Sequence, residues 1–428
     1  MARAPLDLVI VGAGIGGIVS LHYARQAGLQ AVVLERAGRI GGLWARLPAW
    51  QDIQIGLQDW ALGDVAPAGA TQPHILASVQ AWVDRFGLAD GIRLNTPVLK
   101  ASRVGGLWEV QTSDGVVPAR HLLAATGAHN VPFIPAVNRQ AAKLRELHSC
   151  ALRDPGELTG RRVLVVGGGA SAFDLLDLAF EHGAAEVAWA FRDVRWFMPT
   201  TKSKQVAGSI RGFAKMQMSG MSTDQQNDLL RADLQARYAK FGLQDVQPER
   251  PLDLRRDQLV SGRPRMLANF AAIQRHRATV EAIEGDTVTL SSGARLQPDL
   301  LLWGTGYRTD LSWLDVPALQ AVRTADELAA RCGGVFRSLD ADDLYLPAVV
   351  LDGIGTSTWS YALMARTLMS HIRGTARLDL EPVRERLVHF AALEYLAPRD
   401  PANFGADWRR EWTQLALNTP DDQPYPLP

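Results

Sequence analysis

A strand, a glycine-rich turn and a helix occur twice in this chain, and that repeat constrains the fold more than any other feature. Asp7-Leu8-Val9-Ile10-Val11 is a short β-rich run, followed by Gly12-Ala13-Gly14-Ile15-Gly16-Gly17 and a helical stretch from Ile18 to Ala27. Val163-Leu164-Val165-Val166 leads in the same way to Gly167-Gly168-Gly169-Ala170-Ser171-Ala172 and a helix from Phe173 to Glu181. A turn of bare backbone at a helix N-terminus lets a pyrophosphate approach free N–H groups and the positive end of the helix dipole. One such turn is weak evidence, because glycines serve many strand-to-helix junctions. Two, each between an apolar strand and a helix, predict an α/β chain with two Rossmann-like dinucleotide-binding units.

The strands that follow end differently. Ala31 to Leu34 ends at Glu35, whose carboxylate suits a ribose diol, whereas Val187 to Phe191 ends at Arg192, which suits a 2′-phosphate. Lys202, Lys204 and Lys215 fall just beyond and are candidates to add charge there. Two such sites in one chain call for a reason to hold two dinucleotides, and hydride transfer from a nicotinamide to a flavin supplies it.

Other elements are also legible. Ser78 to Phe86 has the spacing of an amphipathic helix, Val98 to Gln111 alternates like meander strands before the Asp114-Gly115 turn, and Thr287 to Leu290 and Leu300 to Trp303 are strand-like. Ser222 and Gln225 have capping-box spacing ahead of a helix to Phe241. The 428 residues, with 45 basic against 45 acidic side chains, carry no net charge, which argues against nucleic acid as a partner. Two distant cysteines, Cys150 and Cys332, exclude a disulfide scaffold and a C-x-x-C pair. Met1 to Leu21 reads as a buried strand entering a helix rather than as a secretion signal, and no stretch is apolar for long enough to span a membrane. A cytoplasmic address is therefore expected, and the arginine-rich, lysine-poor usage points to a bacterial source. No metal-ligand spacing and no Gly-x-Ser-x-Gly elbow is found.

The chain resembles the class B flavoprotein monooxygenases, that is, the flavin-containing monooxygenases and their Baeyer–Villiger relatives. The likeness is carried by Gly12 to Gly17; by Glu35-Arg36-Ala37-Gly38-Arg39-Ile40-Gly41-Gly42-Leu43-Trp44; by Ala125-Thr126-Gly127 with Pro132 and Pro135; by Gly167 to Ala172; by Gly304-Thr305-Gly306-Tyr307; and by Ala365-Arg366 with Gly374. The resemblance implies an FAD domain split by an inserted NADPH domain: residues 1–155, then 156–300 with a helical insertion at about 205–270, then 301–428. It implies FAD held by Gly12, Gly14, Gly16, Gly17, Glu35, Arg36, Gly42, Leu43, Trp44, Thr126 and Gly127, with Asp352 approaching the flavin. NADP would be held by Gly167, Gly169, Ser171, Ala172, Arg192 and Lys202, and Thr305 and Gly306 are further cofactor-binding candidates. The implied chemistry is reduction of FAD by NADPH, addition of O2 at the flavin C4a atom, and oxygen transfer to an amine or thioether of a small apolar substrate. Oxidation of a ketone, or reduction without oxygen transfer, are its rivals.

The family's linker signature survives only as His148-Ser149, with Ala142, Leu144 and Leu152 at its other positions, and Gln54 stands where many heteroatom-oxygenating members carry asparagine. Gln54 and His148 are the candidate catalytic residues. Trp50, Trp60 and Trp359 are candidates for the pocket wall, and His74 is a helix-cap neighbour. The expected partners are a small-molecule substrate and O2, without nucleic acid or membrane, and a homodimer is the oligomer to look for.

Overall fold

The structure is a computed structural model that describes residues 4–54, 56–199, 221–254, 257, 259–333, 336–347, 358–378, 396–420, 422–424 and 427. The first sheet is built on the first glycine motif. Strand β1 (Leu6–Val11) runs into helix α1 (Ile15–Gln26) and pairs in parallel with β2 (Ala31–Leu34). Helix α2 (Gln72–Arg85) precedes β3 (Ile92–Arg93), which lies beside β2. Strands β4 (Val98–Val104), β5 (Leu107–Thr112) and β6 (Gly115–Ala124) form an antiparallel meander whose last strand returns alongside β1. Both helices begin earlier than the apolar periodicity predicts. Gly14 already caps α1 in extended conformation, and a proline in the first turn of α2 starts that helix before its apolar face does.

The chain crosses to the second sheet through β7 (Val131–Pro132), β8 (Asn138–Gln140) and β9 (Arg145–His148). Next come β10 (Arg162–Val166), α3 (Ala170–Glu181), β11 (Glu186–Phe191), the short β12 (Phe197–Met198) and α4 (Thr223–Phe241). Helix α4 starts with the expected reciprocal Ser222–Gln225 capping box and ends at Gly242 in the left-handed region. Strand β13 (Val260–Ser261) pairs with β12, and β14 (Gln274–Arg277), β15 (Val280–Glu284), β16 (Thr287–Leu290), β17 (Arg295–Leu296) and β18 (Leu300–Trp303) complete this part. The second sheet has the order β14-β11-β10-β18-β9 and is parallel throughout. Its central strands are apolar along their length because helices and loops cover both faces, which leaves no solvent-facing row for polar residues.

The chain then returns. Strand β19 (Tyr307–Arg308) pairs antiparallel with β7, and β20 (Cys332–Gly333), β21 (Arg337–Ser338) and β22 (Leu344–Tyr345) extend the first sheet, β22 lying parallel to β6. Helix α5 (Thr358–Ile372) packs on α1 through buried residues including Leu363 and Leu368, and α6 (Trp408–Asn418) lies near the end. Outward and return crossings are thus laced into one ribbon. Phe133 N–H donates to Gly306 O (2.9 Å), Asn130 N–H to Arg308 O (3.3 Å) and Thr309 Oγ1 to Ala128 O (2.8 Å).

Candidate functional site

In the first unit the turn is folded by contacts that only glycine permits. Gly12 has a φ of +106°, and a Cβ there would stand 2.8 Å from Ala125 O; at Gly17 it would stand 2.0 Å from Gly12 O. The loop after β2 is bolted onto this turn. Glu35 accepts Ala13 N–H and Ala37 N–H at 2.8 Å each, and Gly41 N–H donates to Ala13 O at 2.8 Å. Gly42, at φ +56°, lies so close to Gly14 that a Cβ would meet Gly14 Cα at 2.8 Å. No side chain caps α1 at Gly14, so its first turn points bare N–H groups outward.

That turn opens on a cavity of about 770 Å³. Gly12, Gly14, Gly16, Glu35 and Arg36 line it together with Gly42, Leu43, Trp44, Thr126 and Gly127, while Gly17 packs beneath the turn. Trp60 is on the wall, edge to face with Trp44 at 5.5 Å between ring centres. Gln54 also lines the cavity, its amide donating to Asp52 Oδ1 at 2.6 Å. The far wall comes from the second unit: Ala170 at the start of α3, together with Leu259, Val260, Ser261 and Arg263.

Arg263 is the principal residue that sequence reasoning missed. It is 2% exposed, donates from Nε to Asp174 Oδ1 at 2.6 Å and also bonds Ser261 O, while Gln51 Nε2 donates to the other oxygen of Asp174 at 3.0 Å. One turn along α3, Asp177 accepts the N–H groups of Arg265 (2.7 Å) and Met266 (2.9 Å), capping the short helix Pro264–Ala268 from outside and fixing where Arg263 stands. The available signal was two aspartates on the apolar face of a helix, which require buried partners.

In the second unit Gly169 caps α3, and Gly167, with a φ of +134°, leaves no room for a Cβ against Gly304 O. Gly167 and Gly169 shape the turn, Ser171 sits in the first helical turn, and Ala172 packs against Gly304. Trp189 Nε1 donates to Gly167 O at 2.6 Å and holds the turn. The loop after β11 is shorter than its counterpart: Arg195 N–H donates to Gly168 O at 2.8 Å, and a Cβ on Gly168 would stand 1.8 Å from Asp193 O.

The registers correct one alignment. Gly12 N–H donates to Leu34 O and Gly167 N–H to Ala190 O, so Phe191, not Arg192, occupies the place of Glu35. Arg192 corresponds to Arg36; it is 84% exposed and lies 3.6 Å from Asp193 Oδ2.

His148 lies outside the cavity lining, at the end of β9. Its Nε2 donates to Gly306 O at 2.8 Å, which leaves Nδ1 to accept from Cys150 N–H at 3.3 Å, beside Cys150 Sγ at 3.2 Å. Burial lowers its pKa, so the ring is neutral and acts as a pin on the ribbon. Tyr307 stacks edge to face on His148 at 5.1 Å between ring centres, its pKa raised by burial. Thr305 bonds Phe133 O and Gly306 turns at φ +77°, both within the ribbon. Trp50 donates to Leu152 O at 2.6 Å and Trp359 packs against the first core, neither lining the cavity, and His74 bonds Thr71 Oγ1 at 2.9 Å in the first turn of α2. Lys202, Lys204, Lys215 and Asp352 lie outside the described residues. Among the described residues no cluster of His, Cys, Asp or Glu is arranged to hold a metal, and no helix is long and apolar enough to cross a membrane.

A family model described as pyridine nucleotide-disulphide oxidoreductase matches residues 9–226, about half of the chain. A Baeyer–Villiger monooxygenase of Streptomyces coelicolor is 25% identical over 74% of this chain and 67% of its own. Two solved structures share the fold. A flavin-containing monooxygenase from Stenotrophomonas maltophilia has a TM-score of 0.63 at 18% identity, covering 87% of this chain and 99% of that one. OTEMO in complex with FAD and NADP has a TM-score of 0.65 at 17% identity, covering 87% and 86%.

Proposed function

This chain belongs to the pyridine nucleotide-disulphide oxidoreductase family, and we propose that within it the protein is an FAD-dependent monooxygenase reduced by NADPH. A disulphide reductase is disfavoured by the thiols themselves. Cys150 and Cys332 form no pair, and burial pushes the Cys332 thiol up to about 12.

The single observation that carries the reading is the shared cavity, walled on one side by the first glycine turn and on the other by the start of α3 and the segment around Arg263. Two dinucleotides bound to the two turns would bring their reactive rings into one enclosure. The fit of FAD rests on the bare-backbone cradle between Gly14 and Gly42, where a Cβ would intrude, and on Glu35, which has one N–H on each carboxylate oxygen and lines the cavity with acceptor capacity remaining for a diol. When bound and reduced, FAD supplies dioxygen activation. The chain's own residues do the rest. Trp44 and Trp60 exclude water and present an apolar face to the substrate. Gln54 offers an amide, oriented by Asp52, to a bound water or substrate heteroatom. His148 keeps the ribbon between the two units in one geometry. On this reading the substrate is a small, fairly apolar amine or thioether, and the address is cytoplasmic.

A second reading, oxidation of a ketone, is favoured by one feature, the buried Arg263 cation on the cavity wall, since attack on a carbonyl builds negative charge that a fixed guanidinium stabilises. One experiment tests both. The purified protein should carry FAD, lose its flavin absorbance when NADPH is added without oxygen, and oxygenate a sulfide or a cyclic ketone once air is admitted. Colourless protein, or peroxide in stoichiometric yield whatever substrate is offered, would overturn the reading. Ester from the ketone with no sulfoxide from the sulfide would select the second reading.

A further inference from the structure

We propose that Arg277 is a specificity residue of the second nucleotide site, closing with Arg192 on the 2′-phosphate of the adenosine ribose. This rests on the NADPH reading above and concerns a residue that no sequence motif marks. Strands β11 and β14 are neighbours, and their register sets Phe191 beside Arg277 at the strand ends, on the edge where the glycine turn opens. Phe191 occupies the place that Glu35 holds in the first unit, so no carboxylate stands there to accept a diol. Instead the Arg277 guanidinium lies over the Phe191 ring, 5.5 Å from its centre, and donates from Nη2 to Asp245 O at 3.2 Å. It is held by a ring face and a carbonyl, both available whether or not an anion is present.

The two arginines already converge on one anion. Asp193 Oδ1 is 3.8 Å from Arg277 Nη1, and Asp193 Oδ2 is 3.6 Å from Arg192 Nε. The Asp193 backbone is clamped against Gly168, but its side chain is 73% exposed and free to swing out. A phosphate monoester carries more charge than a carboxylate and an additional acceptor oxygen. It therefore replaces Asp193 between the two guanidinium groups, while a 2′-hydroxyl does not. Asp193 acts as an internal counter-ion that holds the two arginines near each other and that the phosphate must displace, so its removal tightens a ligand that carries the phosphate and leaves one without it nearly unaffected.

The test uses the FAD-loaded protein and two probes that lack the nicotinamide, 2′,5′-ADP and 5′-AMP, titrated calorimetrically at low ionic strength. Wild type should prefer 2′,5′-ADP. Arg277→Ala should weaken 2′,5′-ADP about tenfold and change 5′-AMP by no more than about twofold, and Arg277→Lys should recover part of the loss. Asp193→Asn should tighten 2′,5′-ADP and leave 5′-AMP nearly unchanged. Retained flavin absorbance in each variant shows that the fold is intact. Equal weakening of both probes by Arg277→Ala would overturn the assignment, because it would make the residue a platform for the adenine or a structural prop, and so would no weakening at all. The parent reading fails separately: if wild type binds neither probe and NADPH does not bleach the flavin, both fall. If NADPH bleaches the flavin but Arg277→Ala binds 2′,5′-ADP normally, only the assignment of Arg277 falls.

Discussion

The two glycine units share one backbone plan but are finished differently, and the differences lie in what covers them. In both, the first glycine donates its N–H to the neighbouring strand and the third residue of the turn caps the helix without a side chain. Helix α1 lies under α5, with Val19 in an apolar contact layer. Helix α3 carries Asp174 at the position equivalent to Val19, and the element covering it brings Arg263. The strand-turn-helix suits a dinucleotide in either setting; the covering element decides whether the layer packed on the helix is oily or charged.

The largest expected effect tests that contrast. Asp174→Ala leaves Arg263 buried without its carboxylate and should cost about 3–5 kcal/mol in a denaturant titration of the flavin-loaded protein. Val19→Ala at the matching position should cost only about 2 kcal/mol, a loss of apolar burial alone. Replacing both charges, as Asp174→Leu with Arg263→Met, should restore most of the loss. Equal costs at the two positions would mean that the charged lining is incidental.

A methyl group distinguishes the units next. The first has Gly17 facing Ala125, and the second has Ala172 facing Gly304, so each crossing accommodates one methyl, on opposite partners. Gly17→Ala drives a Cβ to 2.0 Å from Gly12 O and should cost about 1–3 kcal/mol together with flavin retention. Ala172→Gly removes a methyl without a clash and should cost about 1 kcal/mol, the helix propensity difference, with flavin content unchanged. Flavin retention by Gly17→Ala would break the asymmetry.

The strand ends differ by a smaller energy. Arg36 and Arg192 are register equivalents, yet only Arg36 lines the cavity. Arg192→Ala should lower the preference for NADPH over NADH about tenfold in anaerobic flavin reduction, with FAD content intact. An unchanged ratio would remove Arg192 from the site.

What the sequence made legible follows from this plan. The strands Ala31–Leu34 and Leu300–Trp303 were readable because buried parallel strands are continuous apolar runs, Thr287–Leu290 because an antiparallel strand alternates buried with half-buried positions, and the Ser222 cap because both halves of its hydrogen-bond pair are local. The side of the cavity built on Gly42 to Trp44 was readable through the family resemblance, which the Gly41-Gly42-Leu43-Trp44 stretch carries. The rest was not local. Arg263 reaches the cavity through Asp174, 89 residues away. The ribbon that joins the units pairs Pro132 with Tyr307 across the whole second sheet. Phe191 stands for Glu35 only by hydrogen-bond register, which a count along the strand missed by one residue.

The smallest effect sharpens the comparison through protons. His22 on α1 is equivalent in register to Asp177 on α3, but among the described residues it is ringed by aromatic side chains, Tyr23, Trp82 and Phe86 at 5.0, 5.7 and 4.2 Å. Its Nε2 has no hydrogen-bond partner among the described residues, and burial lowers its pKa. The folded chain therefore keeps the imidazole neutral, while the unfolded chain takes up a proton near the ordinary value of about 6.5. The stability this represents is intact above that pH and is lost as the pH falls below it. His148, pinned to Gly306 and likewise lowered, acts in the same direction at the joint between the units. The melting temperature should fall between about pH 7.5 and about pH 5.5, and His22→Leu should make the fall shallower by removing the contribution from the apolar unit alone. His148→Gln should also flatten it, but with a loss of stability at neutral pH that His22→Leu does not show, because the Gly306 carbonyl then loses its imidazole donor. Slopes identical to wild type in both variants would show that neither ring is kept neutral by the fold, and the contrast between an oily and an ionic cover would lose its proton signature.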